Sequence, residues 1–207
     1  MGPRFILASR SPRRHQLLSE AGYEFEVFSP PVDEVAHGWL TIRELTILNA
    51  ARKAARVSEM APDAVVLTAD TLVAIDGDVL GKPRDLEDAA QILRRLSGRA
   101  HEVWTAVRIS HAARGRSCSF HEMSRVHFRK LDDRAIRDYL AKINPLDKAG
   151  AYAAQGYGTE IIQRIEGSYS NVVGLPMEKT ARALRAFGIK PSEIPKTKTQ
   201  IPGKSQF

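Results

Sequence analysis

The stretch Ala64 to Lys82, AVVLTADTLVAIDGDVLGK, restricts the fold more than any other part of the chain. Its apolar, β-branched opening is of strand type. Asp76-Gly77 then gives a strong two-residue hairpin signal, because both central positions of such a turn need left-handed backbone that Asp and Gly tolerate. Antiparallel strands folded about this turn set Thr71 opposite Lys82, with Asp70 diagonally adjacent. A slip of one residue would change every pairing. Asp70 interrupts the apolar run with a carboxylate, which is costly there unless it is paired, bound to metal or turned toward a cleft.

The segments around this hairpin alternate between helix and strand early on, and strands cluster in the middle of the chain. Phe5–Ala8 and Tyr23–Phe28 read as strands. Thr41-Ile42-Arg43-Glu44 has the form of a capping box opening a helix to about Ser58, with Ile42, Leu45, Leu48 and Ala55 inward and Lys53 at the edge of the apolar face. Asp85 introduces a helix with a stripe of Leu86, Ala89, Ala90, Leu93 and Leu96, stopped by Gly98. His101–Ser110 and Cys118–Phe128 form a hairpin across Ala112–Arg116. His111, His121 and His127 have no acidic partners at metal-ligand spacing and read as surface or edge residues. A helix capped by Asp132-Asp133 follows, then a strand at Ile161–Ile165, a turn at 167–171 and a last helix ending at Gly188. The order predicts an α/β fold: a mixed, twisted sheet with flanking helices in two lobes around a central cleft.

Ser9-Arg10-Ser11-Pro12-Arg13-Arg14 links the first strand to a helix whose N-cap is Ser11 and whose first helical residue is Pro12. Arg13 and Arg14 in the first turn oppose the helix dipole, which is unfavourable unless an anion lies there or the side chains reach away to solvent or a surface acid. The small-residue run Asn144–Gly156 suits backbone passing close to a ligand, and its Gln155 can both donate to and accept from a base edge. Asp33 and Glu34, taken as an isolated pair, read as solvated loop acids.

A net charge of +7 fits either a polyanionic partner or solubility alone. The single Cys118 excludes an intramolecular disulfide framework and a cysteine-based zinc site, and fits a reducing, cytosolic compartment. The opening FILAS is too short for a signal peptide, and no run reaches the length of a membrane span. The first strand is followed by no dinucleotide-binding glycine fingerprint, and the chain has no P-loop pattern. Residues 1–189 are read as one domain of two lobes, and 190–207 as a loose basic tail rich in Pro and Lys.

Taken in order, LASRSPRR, VDE at 32–34, a helix carrying AARKA, ADTLV with DGDVLGKP, DKAGAYAAQG and GSYSNVVGLP resemble the motifs of the Maf family of nucleotide pyrophosphatases. The resemblance covers about residues 5–187. It implies a two-lobed α/β fold similar to that of inosine triphosphate pyrophosphatases, a homodimer, a requirement for a divalent cation (Mg or Mn), and hydrolysis of a nucleoside triphosphate between its α- and β-phosphates. SPRR, ADT and AGAYxxQG are similar to the subgroup acting on dTTP and UTP, or modified forms of them, rather than the sister subgroup directed at 7-methyl-GTP. Arg10 stands where that pattern has a small residue.

On this resemblance Asp70 is the general base and, with Glu34, a metal ligand. Lys53 and Lys82 are catalytic cations, Lys82 or the metal keeping Asp70 ionised. Ser9, Ser11, Arg13 and Arg14 bind phosphate, and Gln155, Arg13 and Thr71 set the base preference. Two other classes are kept beside it: a nucleotide-binding regulator of septum formation with little turnover, and nucleic-acid binding through the basic surface, which no aromatic-interleaved basic motif supports.

Overall fold

The computed structural model describes residues 3–33, 35 and 39–192. Its sheet takes β1 (Phe5–Leu7), β2 (Glu26–Val27), β3 (Val65–Ile75), β4 (Asp78–Leu80), β5 (Ala100–His111), β6 (Arg116–Phe128) and β7 (Ile162–Glu166) in the spatial order β2-β1-β3-β5-β6-β7, with β4 paired to β3. The helices are α1 (Pro12–Glu20), α2 (Ile42–Met60), α3 (Leu86–Leu96), α4 (Asp133–Leu140), α5 (Gly158–Ile161), α6 (Tyr169–Val173) and α7 (Met177–Ala186). The sheet is mixed, as the element order predicts: β1 runs parallel to β2 and β3, and the remaining pairs are antiparallel.

The register of β3 shapes the site. On one edge it pairs first with β1, Phe5 opposite Val65 to Leu7 opposite Leu67, and then with β4, Val73 opposite Leu80 to Ile75 opposite Asp78. Between these ladders the same edge of β3 forks, and Asp70 lies at the fork. The opposite edge is paired without a break to β5, from Val66 opposite Ser110 to Ala74 opposite Glu102. The hairpin turn has positive φ at Asp76 (55°) and Gly77 (84°), the left-handed pair a two-residue turn requires. Arg99 fastens it by donating to both Asp76 carboxylate oxygens at 2.7 and 2.8 Å. The expected register is therefore present, but β4 ends at Leu80 and Lys82 leaves the sheet before any ladder pair with Thr71 forms.

Two apolar cores flank the fork. One joins β1, the first half of β3, α1 and α7 through Leu7, Leu18, Leu67, Val107 and Leu184; the other joins the second half of β3, β4, α3 and α4 through Val73, Leu80, Leu93, Ile136 and Tyr152. These are the two lobes. α2 covers the other face, where Ile6, Ala8, Val57 and Val66 pack together.

Several expectations are corrected. The capping box of α2 is formed, with Thr41 Oγ1 accepting from Glu44 N at 3.2 Å and Thr41 N donating to the Glu44 carboxylate at 2.9 Å, yet the helix buries Leu45, Thr46, Asn49, Ala50, Ala54 and Val57. Leu48 and Ala55, expected inward, are exposed. The helix is turned so that two polar residues face in, and both are satisfied: Thr46 donates to Ile42 O at 3.0 Å, and Asn49 is used in the site. Leu86, the first residue of α3, lies beyond the core and is exposed. The strand expected at Tyr23–Phe28 shrinks to β2, and the turn expected at 167–171 contains α6, capped by Ser168, whose hydroxyl accepts from Asn171 N at 3.2 Å. His111 is buried rather than at the surface, because the end of the β5–β6 hairpin docks on the turn after α2, where Ala113 N donates to Pro62 O at 2.8 Å. Of the expected tail, residues 193–207 lie outside the described residues, and Ser192 N donates to Gly22 O at 2.8 Å.

His101 lies within the second core, its Nε2 2.8 Å from the Tyr152 hydroxyl and its ring edge-on to Phe128. Burial, with a smaller effect from the charge of His127, pulls its pKa down to about 4. The folded pKa lies below the unfolded value near 6.5, so the unfolded chain takes up the proton first. The contribution is present above pH 6.5 and is lost as pH falls toward 4, on the order of 2 kcal/mol by pH 4.5. Urea midpoints at pH 7 and pH 4.5 are expected to fall further apart in the wild type than in His101→Gln; equal spacing would remove His101 as the cause.

Candidate active site

Asp70 is on the face of β3 covered by α2, and the fork leaves it without a neighbouring strand on one side. Lys53, one turn beyond Asn49 on α2, donates to Asp70 Oδ1 at 2.7 Å. Asn49 Nδ2 lies 3.5 Å from Asp70 Oδ2, a contact at the limit of a hydrogen bond. The carboxylate is 6% exposed and the lysine 19%. Removing one partner from a pair this buried strands the other charge, so each residue fixes the other. The cation paired to Asp70 is thus Lys53, where the sequence reading offered Lys82. Asn49 also accepts from Val35 N at 2.8 Å and donates to Val35 O at 3.2 Å, tying Val35 to α2 beside Asp70. Glu34, the other expected metal ligand, lies outside the described residues.

The opposite wall is organised by Arg14. Its Nε donates to Gly174 O at 2.8 Å, Nη1 to Ser9 Oγ at 3.1 Å and Nη2 to Thr71 Oγ1 at 3.0 Å. Thr71 Oγ1 is also 2.9 Å from Thr105 Oγ1 across the β3–β5 pair. One guanidinium therefore joins the loop after β1, the centre of β3 and the end of α6. Gly174 has φ of 126°, open to glycine alone at low cost, and a Cβ there would lie 3.6 Å from Arg14 Nε. Ser9 Oγ accepts from Ser11 N at 3.2 Å, and Ser11, at the N-cap of α1, forms no side-chain cap bond.

Between these walls is a cavity of about 490 Å³, within the usual range for small-molecule sites. Ser9, Ser11, Arg13, Arg14, Lys53, Asp70, Thr71 and Lys82 all line it. Gln155 does not; it follows the lining residue Ala154 and donates weakly to Gln16 Oε1 at 3.4 Å. Arg10, Arg13, Arg14, Lys53, Lys82 and Lys148 bring six basic side chains to the lining, against the carboxylates of Asp70 and Asp147 among the described residues. Basic side chains outnumber carboxylates in this concave lining, which suits a compact polyanion. A wider groove of about 710 Å³ beside Cys118, Phe120 and Phe187 has no carboxylate among its lining residues and offers no comparable chemistry.

Sequence reading passed over Asn49, Asp147 and Lys148. Asn49 was hidden by counting only apolar residues on α2. Asp147 and Lys148 stand in the small-residue run and in DKAGAYAAQG without an assigned role, and the fold brings them against Arg13, with Asp147 Oδ2 3.1 Å from Arg13 Nη1. Among the described residues no group of three or more His, Cys, Asp or Glu side chains is gathered to hold a metal. A magnesium-type ion needs fewer protein ligands: it is commonly held by one or two carboxylates together with substrate phosphates and water. Asp70 lines the cavity, and among the described residues its Oδ2 has the long Asn49 contact, so it fits that donor set.

Comparison with known proteins finds relatives over most of the chain. A "dTTP/UTP pyrophosphatase" of Pelotomaculum thermopropionicum is 47% identical over 183 residues, 88% of this chain and 96% of the relative. One of Bacillus velezensis is 44% identical over 190 residues, 92% of this chain and all of the relative. A looser structural likeness is to the Ham1 protein of Staphylococcus aureus, at a TM-score of 0.45 and 12% identity over 60% of this chain and 71% of that one. Residues 4–187, which include every described residue lining the cavity, match the model described as Maf-like protein, and the chain belongs to the Maf family.

Proposed function

We propose that this protein is a nucleoside triphosphate pyrophosphatase that hydrolyses dTTP and UTP to the monophosphate and pyrophosphate. The observation that carries the reading is the buried Asp70, opening from a forked strand into a cavity lined by six basic side chains. The curated relatives named above supply the substrate class. The names of these relatives do not favour a regulator that only binds nucleotide.

Cleavage of a phosphoanhydride needs the clustered charge of the triphosphate neutralised and a water held in line with the leaving group. In this reading Lys82, Arg13 and Arg10 contact the phosphate chain, Ser9 and Ser11 add hydroxyl donors, and Arg14 keeps Ser9 and Thr71 in place. Asp70 takes a proton from water as the water oxygen bonds to the α-phosphorus. The bond to the bridging oxygen breaks, and its electron pair leaves with pyrophosphate. Lys53 holds the Asp70 carboxylate in orientation. A divalent cation, Mg or Mn, would be held by Asp70 with Glu34 as second carboxylate, and when bound supplies charge neutralisation to the phosphate oxygens. Arg13, Thr71 and Gln155 remain the residues assigned to base preference. The reading takes the enzyme as a cytosolic homodimer, the compartment resting on the lone thiol and the dimer on the family resemblance.

Asp70→Asn keeps the shape of the side chain and removes the base, so kcat for dTTP is expected to fall by roughly 10²- to 10⁴-fold with the circular dichroism spectrum unchanged. Retention of full activity would remove Asp70 from the role. Treatment with EDTA should abolish pyrophosphate release, and Mg²⁺ or Mn²⁺ should restore it; turnover undiminished by chelation would contradict the metal requirement.

A further inference from the structure

An ionic cluster in the lining of the cavity joins segments that belong to the two cores. Arg13 stands in the first turn of α1, whose Leu18 belongs to the first core. Asp147 and Lys148 stand in the loop that leads into Ala151 and Tyr152 of the second core. Asp147 Oδ2 is 3.1 Å from Arg13 Nη1, and its Oδ1 forms a short ion pair with Lys148 Nζ. Lys148 Nζ also donates to Asn144 O at 2.6 Å, and its side chain is only 13% exposed. Burial works against the charge on Asp147, but Lys148 and Arg13 outweigh it and hold the carboxyl below its ordinary range.

Arg13 and Lys148 both line the cavity, and both are turned to the same carboxylate. A carboxylate presents two oxygens and a negative charge, as the edge of a phosphate does. We propose that Asp147 occupies, in the substrate-free protein, the cationic position that a phosphate group of the substrate takes over, making Lys148 a phosphate ligand and Asp147 a positioning residue that tunes affinity for phosphate chains. This rests on the pyrophosphatase reading of the cavity.

The consequence is selection by charge. The Asp147 side chain is 43% exposed, so water screens its pair with Arg13 and a densely charged polyphosphate can displace it. An anion of low charge competes poorly. When pyrophosphate leaves, Asp147 recovers Arg13 and Lys148, so the cations do not hold the product. Removing the charge should therefore tighten binding, the opposite of what loss of a structural contact would do.

The test is calorimetric titration of the full-length protein with inorganic pyrophosphate, beside steady-state kinetics on dTTP. Asp147→Asn is expected to bind pyrophosphate about five- to tenfold more tightly than wild type and to show a lower KM without a higher kcat. Asp147→Glu, which keeps the charge, should restore the wild-type affinity. Asp147→Ser serves the same purpose as the amide if that variant does not fold. Equal or weaker pyrophosphate binding by a folded, uncharged variant, while the wild type binds pyrophosphate and turns over dTTP, overturns this proposal alone. A wild type that neither binds pyrophosphate nor hydrolyses dTTP overturns the reading of the cavity and this proposal with it.

Discussion

The ion pair of Lys53 with Asp70 is possible only because β3 has two partners on one edge and a gap between them. β1 holds the first part of the strand and β4 the last. At the gap the backbone is still fixed from the other side by β5, so Asp70 sits on a rigid element although nothing pairs with it on the cavity side. A carboxylate in such a place would be expelled or neutralised without a cation, and α2 delivers one at 2.7 Å. Both chain segments that leave the sheet at the gap, Ser9–Arg14 after β1 and Gly81–Lys82 after β4, are led past Asp70. The fork therefore accounts for the location of the site and for the convergence of its charges.

Around that pair the protein separates residues that hold from residues that face the ligand. Arg14 donates to three different segments, and Asn49 both accepts from and donates to the backbone of Val35, which fixes the two walls. Lys82 and Arg10 lie exposed on the lining, and Arg13 reaches across to the other lobe. Electrostatic stabilisation of a transferring phosphoryl group is strongest when the charges are already placed before substrate arrives, and a site with a braced floor and basic rim meets that condition.

The features legible in the sequence were those whose cause is local. Asp76-Gly77 set the hairpin and its register because turn geometry acts over a few residues, and the capping box at Thr41–Glu44 and the Pro12 start of α1 were equally short in range. The fork itself is out of reach, since it depends on β1 and β3 meeting across two intervening helices and β2. That is why hairpin register points to Lys82 as a neighbour of Asp70, while the pairing with Lys53, which arrives from α2, shows only in the fold. The orientation of α2 was misjudged for a related reason: its inward face carries Thr46 and Asn49, and a hydrophobic count cannot see polar residues that are buried and bonded. His111 was placed outside because the docking of the hairpin end on Pro62 joins residues far apart in the chain. Asp147 and Lys148, 134 residues or more from Arg13, belong to the same class.

The account stands on attack by an activated water at the α-phosphorus beside Asp70. Hydrolysis of dTTP by the wild-type protein in ¹⁸O-labelled water, followed by mass spectrometry of both products, reads that step directly. The label is predicted in the nucleoside monophosphate, with pyrophosphate unlabelled. Label in pyrophosphate, or release of inorganic phosphate and the diphosphate, would contradict it.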